Sequence, residues 1–523
     1  MESSITSIAT MKKRQAHHPL RHLMVDGNGN KKRNSSFVTT APLSAYLVSH
    51  TIDPDEYDAF LKRLNCEVIT PFSGNYHSVR RESINSHNKY PLMIAKVRST
   101  TDVVETINFC RQQNIQICLR AGGHSIAGYS VLSARMLIDV SEINGIFVDR
   151  EKMQSTVGAG VEWGDYNHEL DGWGLHNPGG SCSSVGMTGF TLGGGYGYTS
   201  MRWGMGCDNL IEVTVVTANG EIIVANAEQN EEILWASRGG TGGNFGVVVA
   251  LKYQLYKLKK VWPIQVNWPI EDAAKLLTVW QNEMTKTLGD RKLGILGFLA
   301  SSETKGKTAD GKECTFNTPY FCIRGIYSGE SAEEGAKALK PLLDLGTPSF
   351  PVEKLWEKQI SYADCNETLL DNVEGVIPDD MKATLRSAYI NDPLTEEGFQ
   401  RLIDFFETSP SVYNIVSLEP YGGAINKVDE GATAFVHRNE YFNVFTASFW
   451  MDNPRDAFMW LDDMYESDAM KDLWSNNYYQ NYPNSNYENW QEGYFASNYP
   501  RLQKIKRKWD PENVFNFEQS IEL

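Results

Sequence analysis

Glycine is crowded into one stretch of this chain. Between Arg120 and Gly246 it recurs in pairs and triplets, in Ala121-Gly-Gly-His124, Gly179-Gly180-Ser-Cys182, Gly193-Gly194-Gly195-Tyr196-Gly197 and Gly239-Gly240-Thr-Gly242-Gly243, and beyond about Tyr256 its density falls. Runs of this kind weaken helix and strand interiors, and without Cβ atoms they let backbone amides close on a phosphate or a ring. The first half is therefore expected to form loops around a ligand. His124 and Cys182, two nucleophilic side chains, stand on this backbone. The pair suggests a cofactor bonded at two points.

A chain of 523 residues exceeds one compact core and implies two domains, or one split by an insertion. The net charge of −16 argues against nucleic acid or an anionic membrane as the main partner. No apolar run reaches the length of a membrane-spanning helix. Residues 1–45 read as a mobile basic tail, with Lys12-Lys13-Arg14 and Lys31-Lys32-Arg33 but no apolar signal-peptide core. The cytoplasm is the default expectation, with secretion the alternative. The eight cysteines form no C-x-x-C pair, and no metal site is expected. They are either buried thiols or contribute one bridge, Cys66 to Cys110.

Periodicity predicts a strand over 92–97 and a helix from Thr101 with Val103, Ile107 and Cys110 on one face. A strand over 116–119 then leads into Arg120 and His124. Strands over 136–140 and 212–217 follow, the latter turning at Asn219-Gly220 into Ile222, a hairpin signal. From about Lys257 to Ser475, apolar strands alternate with amphipathic helices, one opened by the capping box Ser331-Ala-Glu-Glu334. This predicts a sheet with helices on one face.

The dinucleotide fingerprint fails, because Gly158-Ala-Gly160-Val-Glu-Trp163 has Trp where the third glycine belongs. There is no G-x-x-x-x-G-K-[ST] loop either. A different match runs in order along the chain: Arg120-Ala-Gly-Gly-His124-Ser, Pro178-Gly-Gly-Ser-Cys182-Ser-Ser-Val185-Gly186, Leu192-Gly-Gly-Gly-Tyr196-Gly197, Arg238-Gly-Gly-Thr-Gly-Gly-Asn244-Phe-Gly246 and Tyr479-Gln-Asn481-Tyr. These segments resemble the berberine-bridge-enzyme-like branch of the vanillyl-alcohol-oxidase flavoproteins. The resemblance implies an α+β protein, with a two-subdomain PCMH-type FAD-binding domain over 46–256. It further implies a substrate domain over 257–475, its antiparallel sheet covered by helices, and a C-terminal segment, 476–523, returning to the FAD domain.

By the same resemblance, FAD is attached covalently through His124 at its 8α-methyl carbon and through Cys182 at C6. Arg120, Gly122, Gly123, Ser125, Val185, Gly186, Gly189, Gly194, Gly195, Gly243, Asn244, Val247 and Asn481 complete the expected cofactor site. Two electron-withdrawing attachments favour the reduced ring and help an alcohol give up hydride. Tyr479 matches the tyrosine that takes the hydroxyl proton, and Tyr196 a second ring beside it. A free tyrosine has a pKa of about 10 and needs a partner for its charged form. The strand around 441–450 offers Asn443 and Thr446 for this, but has Phe445 where a polar residue is common. Asn443 and Phe445 are the expected substrate contacts, and Glu419 resembles an acidic neighbour in carbohydrate-oxidising relatives.

Phe190 stands where many relatives carry His, and Val185 resembles the small residue that leaves room for oxygen. Two or three of the rings Trp474, Tyr478, Tyr479, Tyr482, Tyr487, Trp490 and Tyr494 are expected to line a substrate groove. The expected partners are a small molecule and O2, in a monomer or weak homodimer. The expected reaction oxidises an alcohol carbon, preferably the anomeric hydroxyl of a sugar, and makes H2O2. An alkaloid, phenolic or other secondary metabolite is the alternative substrate, and an inactive flavin-binding protein the further alternative.

Overall fold

The computed structural model describes residues 40–83, 86–284, 291–307, 313–346, 354–371, 378 and 381–523. The chain divides into two compact units, one ending at Leu61 and the other starting at Lys62. The first contains the helix Ala41–Ser49, with proline in its first turn, where a missing N–H costs nothing. The helix Pro54–Arg63 follows, with Asp55 and Glu56 in its first turn and Lys62 and Arg63 in its last, matching the helix dipole. Most of the expected basic tail lies outside the described residues. Its last described residues, from Ala41, belong to a helix.

The second unit begins with a four-stranded sheet in the order Glu67–Ile69, Met93–Lys96, Met136–Asp139, Ile117–Arg120. The last three strands are parallel. Parallel strands need a crossover, and the helix Thr100–Gln112 carries the chain from Met93–Lys96 to Ile117–Arg120, on the far side of Met136–Asp139. Its N-cap, Ser99, accepts the Asp102 amide, and Val103, Ile107 and Cys110 are buried as their spacing predicts. A five-stranded antiparallel sheet follows, in the order Ile146–Asp149, Gln154–Gly158, Val247–Gln254, Leu210–Val216, Ile222–Asn226. The predicted hairpin turns at Gly220, whose φ of +82° suits glycine.

The third layer is a seven-stranded antiparallel sheet. Its order is Lys354–Leu355, Trp262–Pro269, Glu313–Tyr327, Leu293–Lys307, Ile415–Pro420, Phe442–Trp450, Lys382–Ile390. Side chains alternate across it. Phe442 packs against Trp280 and Phe399, and Thr446 bonds Tyr465, all three partners on helices. Asn443 and Phe445 face the other way, toward Glu419 and Tyr482. The fold is α+β, and the face of this sheet that carries Asn443 and Phe445 is available to a site.

The layers are tied by specific bonds. Ser86 Oγ donates to the Ala383 carbonyl (2.7 Å) and accepts from its amide (3.1 Å). Near the C-terminus, Lys506 and Asp510 pair at 2.6 Å with both side chains fully buried. Lys506 Nζ also donates to the carbonyls of Asn244 (2.9 Å) and Phe515 (2.5 Å). Asp510 accepts the amides of Val514 and Phe515. This pins the C-terminal segment to the glycine loop before Gly246.

The cysteine expectation resolves toward thiols: Cys66, Cys110, Cys118, Cys182, Cys207, Cys322 and Cys365 are free, so the Cys66–Cys110 bridge is not formed. Cys110 packs inside its helix face, and burial pushes the Cys66 thiol up to about 12. The Cys314 side chain lies outside the described residues. No helix among the described residues is long and apolar enough to cross a membrane.

Replacing Lys506 by Met strands a buried carboxylate, which costs about 3–5 kcal/mol. Lys506→Met is expected to lower the denaturation midpoint accordingly, and an unchanged midpoint would contradict the pinning role.

Candidate active site

A cavity of about 450 Å³ runs from the end of the strand Ile117–Arg120 to the Phe445 face of the seven-stranded sheet. Two glycine loops meet in it backbone to backbone. A Cβ on Gly122 would lie 2.3 Å from the Gly186 nitrogen, and one on Gly186 2.5 Å from the Gly122 nitrogen. That crossing brings His124 and Cys182 to one wall. Ser184 Oγ stands between them, 3.0 Å from His124 Nε2 and 3.5 Å from Cys182 Sγ. Burial lowers the His124 pKa, with Ser184 and Asp371 opposing it. Burial raises that of Cys182, and the Asp371 carboxylate adds to the rise.

Further along, a Cβ on Gly189 would meet no protein atom within 4 Å, so this backbone borders open space a ligand can fill. Gly123, Ser125, Val185, Gly243 and Val247 line the same cavity. Arg120 lines it too, but its guanidinium is engaged by Asp139 (2.6 Å) and the Arg81 carbonyl (3.0 Å) and so braces the loop. Asn244 does not reach the cavity. Its amide bonds Thr241 Oγ1 (2.7 Å), its side-chain oxygen accepts the Ile521 amide (2.8 Å), and its role is to lock the loop. Gly194, Gly195 and Asn443 likewise lie behind the lining. The shape, the amide-rich walls and the paired nucleophiles fit FAD.

Tyr479 occupies the junction with the sheet. Its phenol oxygen accepts three N–H groups, from Gly195 (2.7 Å), Tyr196 (3.1 Å) and Asn481 Nδ2 (3.0 Å). Positive φ angles at Gly194 (+119°) and Gly195 (+87°) turn this backbone. Gly193 is needed for a different reason, since a Cβ there would fall 1.9 Å from Asn481 Oδ1. Burial pushes the Tyr479 pKa up, while Asn481 and the two amides pull it down. The strand expected to assist Tyr479 does not do so: Thr446 lies on the helix side, and Asn443 serves Glu419. Tyr196 stacks on Tyr421 (5.5 Å, 6°) and donates its hydroxyl to the Pro420 carbonyl (3.1 Å).

Glu419 is buried, accepting from Asn443 Nδ2 (2.9 Å) and the Tyr482 hydroxyl (2.7 Å). Burial carries its pKa to about 7 despite these donors. Phe445 packs on Tyr482 (4.6 Å) and closes this end of the cavity. Phe190 packs edge-on to Trp163 (5.0 Å), and its carbonyl accepts from Asn481 (2.8 Å). Of the C-terminal rings, Tyr479, Tyr482 and Tyr494 line the cavity. Tyr478 and Tyr487 instead stack on each other at 3.8 Å, and Trp474 bonds the Met464 carbonyl. Ser184 and Asp371 were not anticipated; nothing local in the sequence marks a carboxylate 188 positions from the serine it binds.

Comparison with known proteins agrees with this architecture. The chain is 31% identical over 444 residues to the uncharacterised FAD-linked oxidoreductase YvdP of Bacillus subtilis, covering 83% of this chain and 92% of that protein. The family models described as "FAD binding domain" and "Berberine and berberine like" match residues 91–226 and 464–522. The chain belongs to the berberine-bridge-enzyme-like FAD-linked oxidoreductases. This berberine-bridge-enzyme-like chain is also 29% identical to the monolignol oxidoreductase AtBBE-like 13 of Arabidopsis thaliana, covering 83% of this chain and 84% of that one. The berberine bridge enzyme structure from Eschscholzia californica superposes with a TM-score of 0.77 at 24% identity, over 89% of this chain and 99% of that one.

The Glu419 shift has a definite sign. Near pH 4 the carboxyl is protonated in the folded state and largely so in the unfolded state. Between pH 4 and 7 the unfolded chain ionises while the folded one resists, drawing stability down by roughly 3 kcal/mol above pH 7. The stability of Glu419→Gln relative to wild type is expected to rise over this window and then level off. Denaturation midpoints at matched flavin loading measure it, and a pH-independent difference would refute the burial account.

Proposed function

We propose that this enzyme oxidises an alcohol carbon of a small molecule, with Tyr479 taking the hydroxyl proton. The three N–H donors on the Tyr479 oxygen carry the reading. They form a preorganised cradle for a phenolate, whose charge in a buried site is otherwise too costly. Bound FAD supplies the two-electron acceptor ring. His124 and Cys182 are its attachment points in this reading, supported by their shared wall and the serine between them.

Tyr196 and Tyr479 present their rings to the cavity from opposite chain segments, and Glu419 with Tyr482 provides a protonatable group at the substrate end. A carboxyl titrating near 7 can hold a substrate hydroxyl in either protonation state. The acceptor for the electrons is O2, reduced to H2O2, and Val185, on the cavity wall, is the small residue that would leave it room. The preferred substrate is the anomeric hydroxyl of a sugar, oxidised to a lactone.

A second reading, an aromatic secondary metabolite, is favoured by the apolar wall of Ile126, Leu296, Leu385 and Phe445. The Arabidopsis relative is a monolignol oxidoreductase, and monolignols belong to the same class.

Tyr479→Phe is expected to keep its flavin and lose about 10²–10⁴-fold in kcat/KM, the usual contribution of a general base. A peroxide assay over a sugar panel and an aromatic-alcohol panel chooses the substrate class. Acid-precipitated wild type should be yellow; a colourless pellet rules out covalent attachment.

A further inference from the structure

The loop that carries Cys182 is held from the seven-stranded-sheet part of the molecule. The helical stretch made of Tyr362–Cys365 and Asn366–Leu370 reaches it, followed directly by Asp371. Asn366 Nδ2 donates to the Ser181 carbonyl (2.7 Å). Asp371 Oδ2 accepts both the Ser183 amide (3.1 Å) and the Ser183 hydroxyl (2.5 Å). On the far side of the same contact, His168 Nε2 lies 2.5 Å from Glu367 Oε1. The residues immediately before and after Cys182 are therefore both pinned by one distant segment.

Cys182 itself has two polar neighbours, the Ser184 hydroxyl and the Asp371 carboxylate. Asp371 makes no bond to Tyr479 or Glu419, so the alcohol chemistry does not account for it. A thiol in such a buried position is a poor nucleophile until its proton has an acceptor.

We propose that Asp371 positions Cys182 and accepts its thiol proton as the thioether to the flavin forms. The proposal rests on the reading of Cys182 as an attachment point. The new S–C bond replaces an S–H and a ring C–H bond, so two protons and two electrons must leave. Asp371 takes the thiol proton and solvent takes the ring proton. The electron pair stays on the flavin until dioxygen accepts it and becomes hydrogen peroxide. Ser183 holds the carboxylate in place for this transfer, and Asn366 independently fixes the backbone on the other side of the cysteine.

The test is peptide mass spectrometry on holoenzyme purified after expression. Asp371→Asn keeps an oxygen for Ser183 but is not a base. Its His124 link is expected to persist, while attachment at Cys182 slows about a hundredfold, the scale of a lost general base, leaving that peptide mainly unmodified. Asp371→Glu should restore the Cys182 link. Attachment in Asp371→Asn as complete as in wild type overturns the proposal and leaves the bicovalent reading intact. A wild-type protein with unmodified Cys182 overturns that reading and the proposal with it. If Asp371→Asn does not accumulate in folded form, Ser183→Ala decides. It keeps the carboxylate and the amide bond to it but removes the hydroxyl bond that steers it, and is expected to lower Cys182 attachment while sparing His124; full attachment at both residues overturns the proposal.

Discussion

Two glycine loops that pass within backbone contact of each other organise this protein. At Gly122 and Gly186 there is no room for a side chain on either strand of the crossing. Any Cβ would push the loops apart, and with them His124, which follows the strand Ile117–Arg120, and Cys182, which stands about sixty positions further along the chain. The cavity, its amide-rich wall and the juxtaposition of an imidazole with a thiol all follow from that close approach.

The second region of the site depends on electrostatics in a dry environment. Tyr479 and Glu419 are both buried, and burial opposes charge on each. The fold answers differently in the two cases. Tyr479 receives three N–H donors, two of them from a backbone bent by positive φ at Gly194 and Gly195. Glu419 receives only two, and its carboxyl stays poised near neutrality. One group is supplied with a cradle for negative charge, the other is left able to hold or release a proton. That division suits a site in which one residue removes a proton and a neighbour steadies the substrate.

Much of the fold was legible because local periodicity and local burial agree. The helix over 100–112 buries the residues its 3.6 spacing selects, and the Asn219-Gly220 turn closes the hairpin its dipeptide announces. The strand 442–450 was legible as a strand, but its two faces were not. Asn443 and Thr446 both looked available to Tyr479, and only the sheet's neighbours show that Thr446 faces a helix and Asn443 holds a carboxylate. Asn244 misleads in the same way: it sits in a ligand-type glycine loop, yet its side-chain amide is turned inward, to Thr241 and Ile521.

By itself, the sequence determined the family, the α+β class, and the loops on which His124, Cys182 and Tyr479 stand, because glycine runs and short motifs act through the local backbone. Only the tertiary structure decided which N–H groups hold the Tyr479 oxygen, why burial carries the Glu419 pKa to about 7, and that Asp371 reaches the loop of Cys182. Those outcomes come from desolvation and from hydrogen bonds between residues up to several hundred positions apart. Such contacts leave no local pattern, since they depend on which faces of distant elements meet, and not on which residues adjoin in the chain.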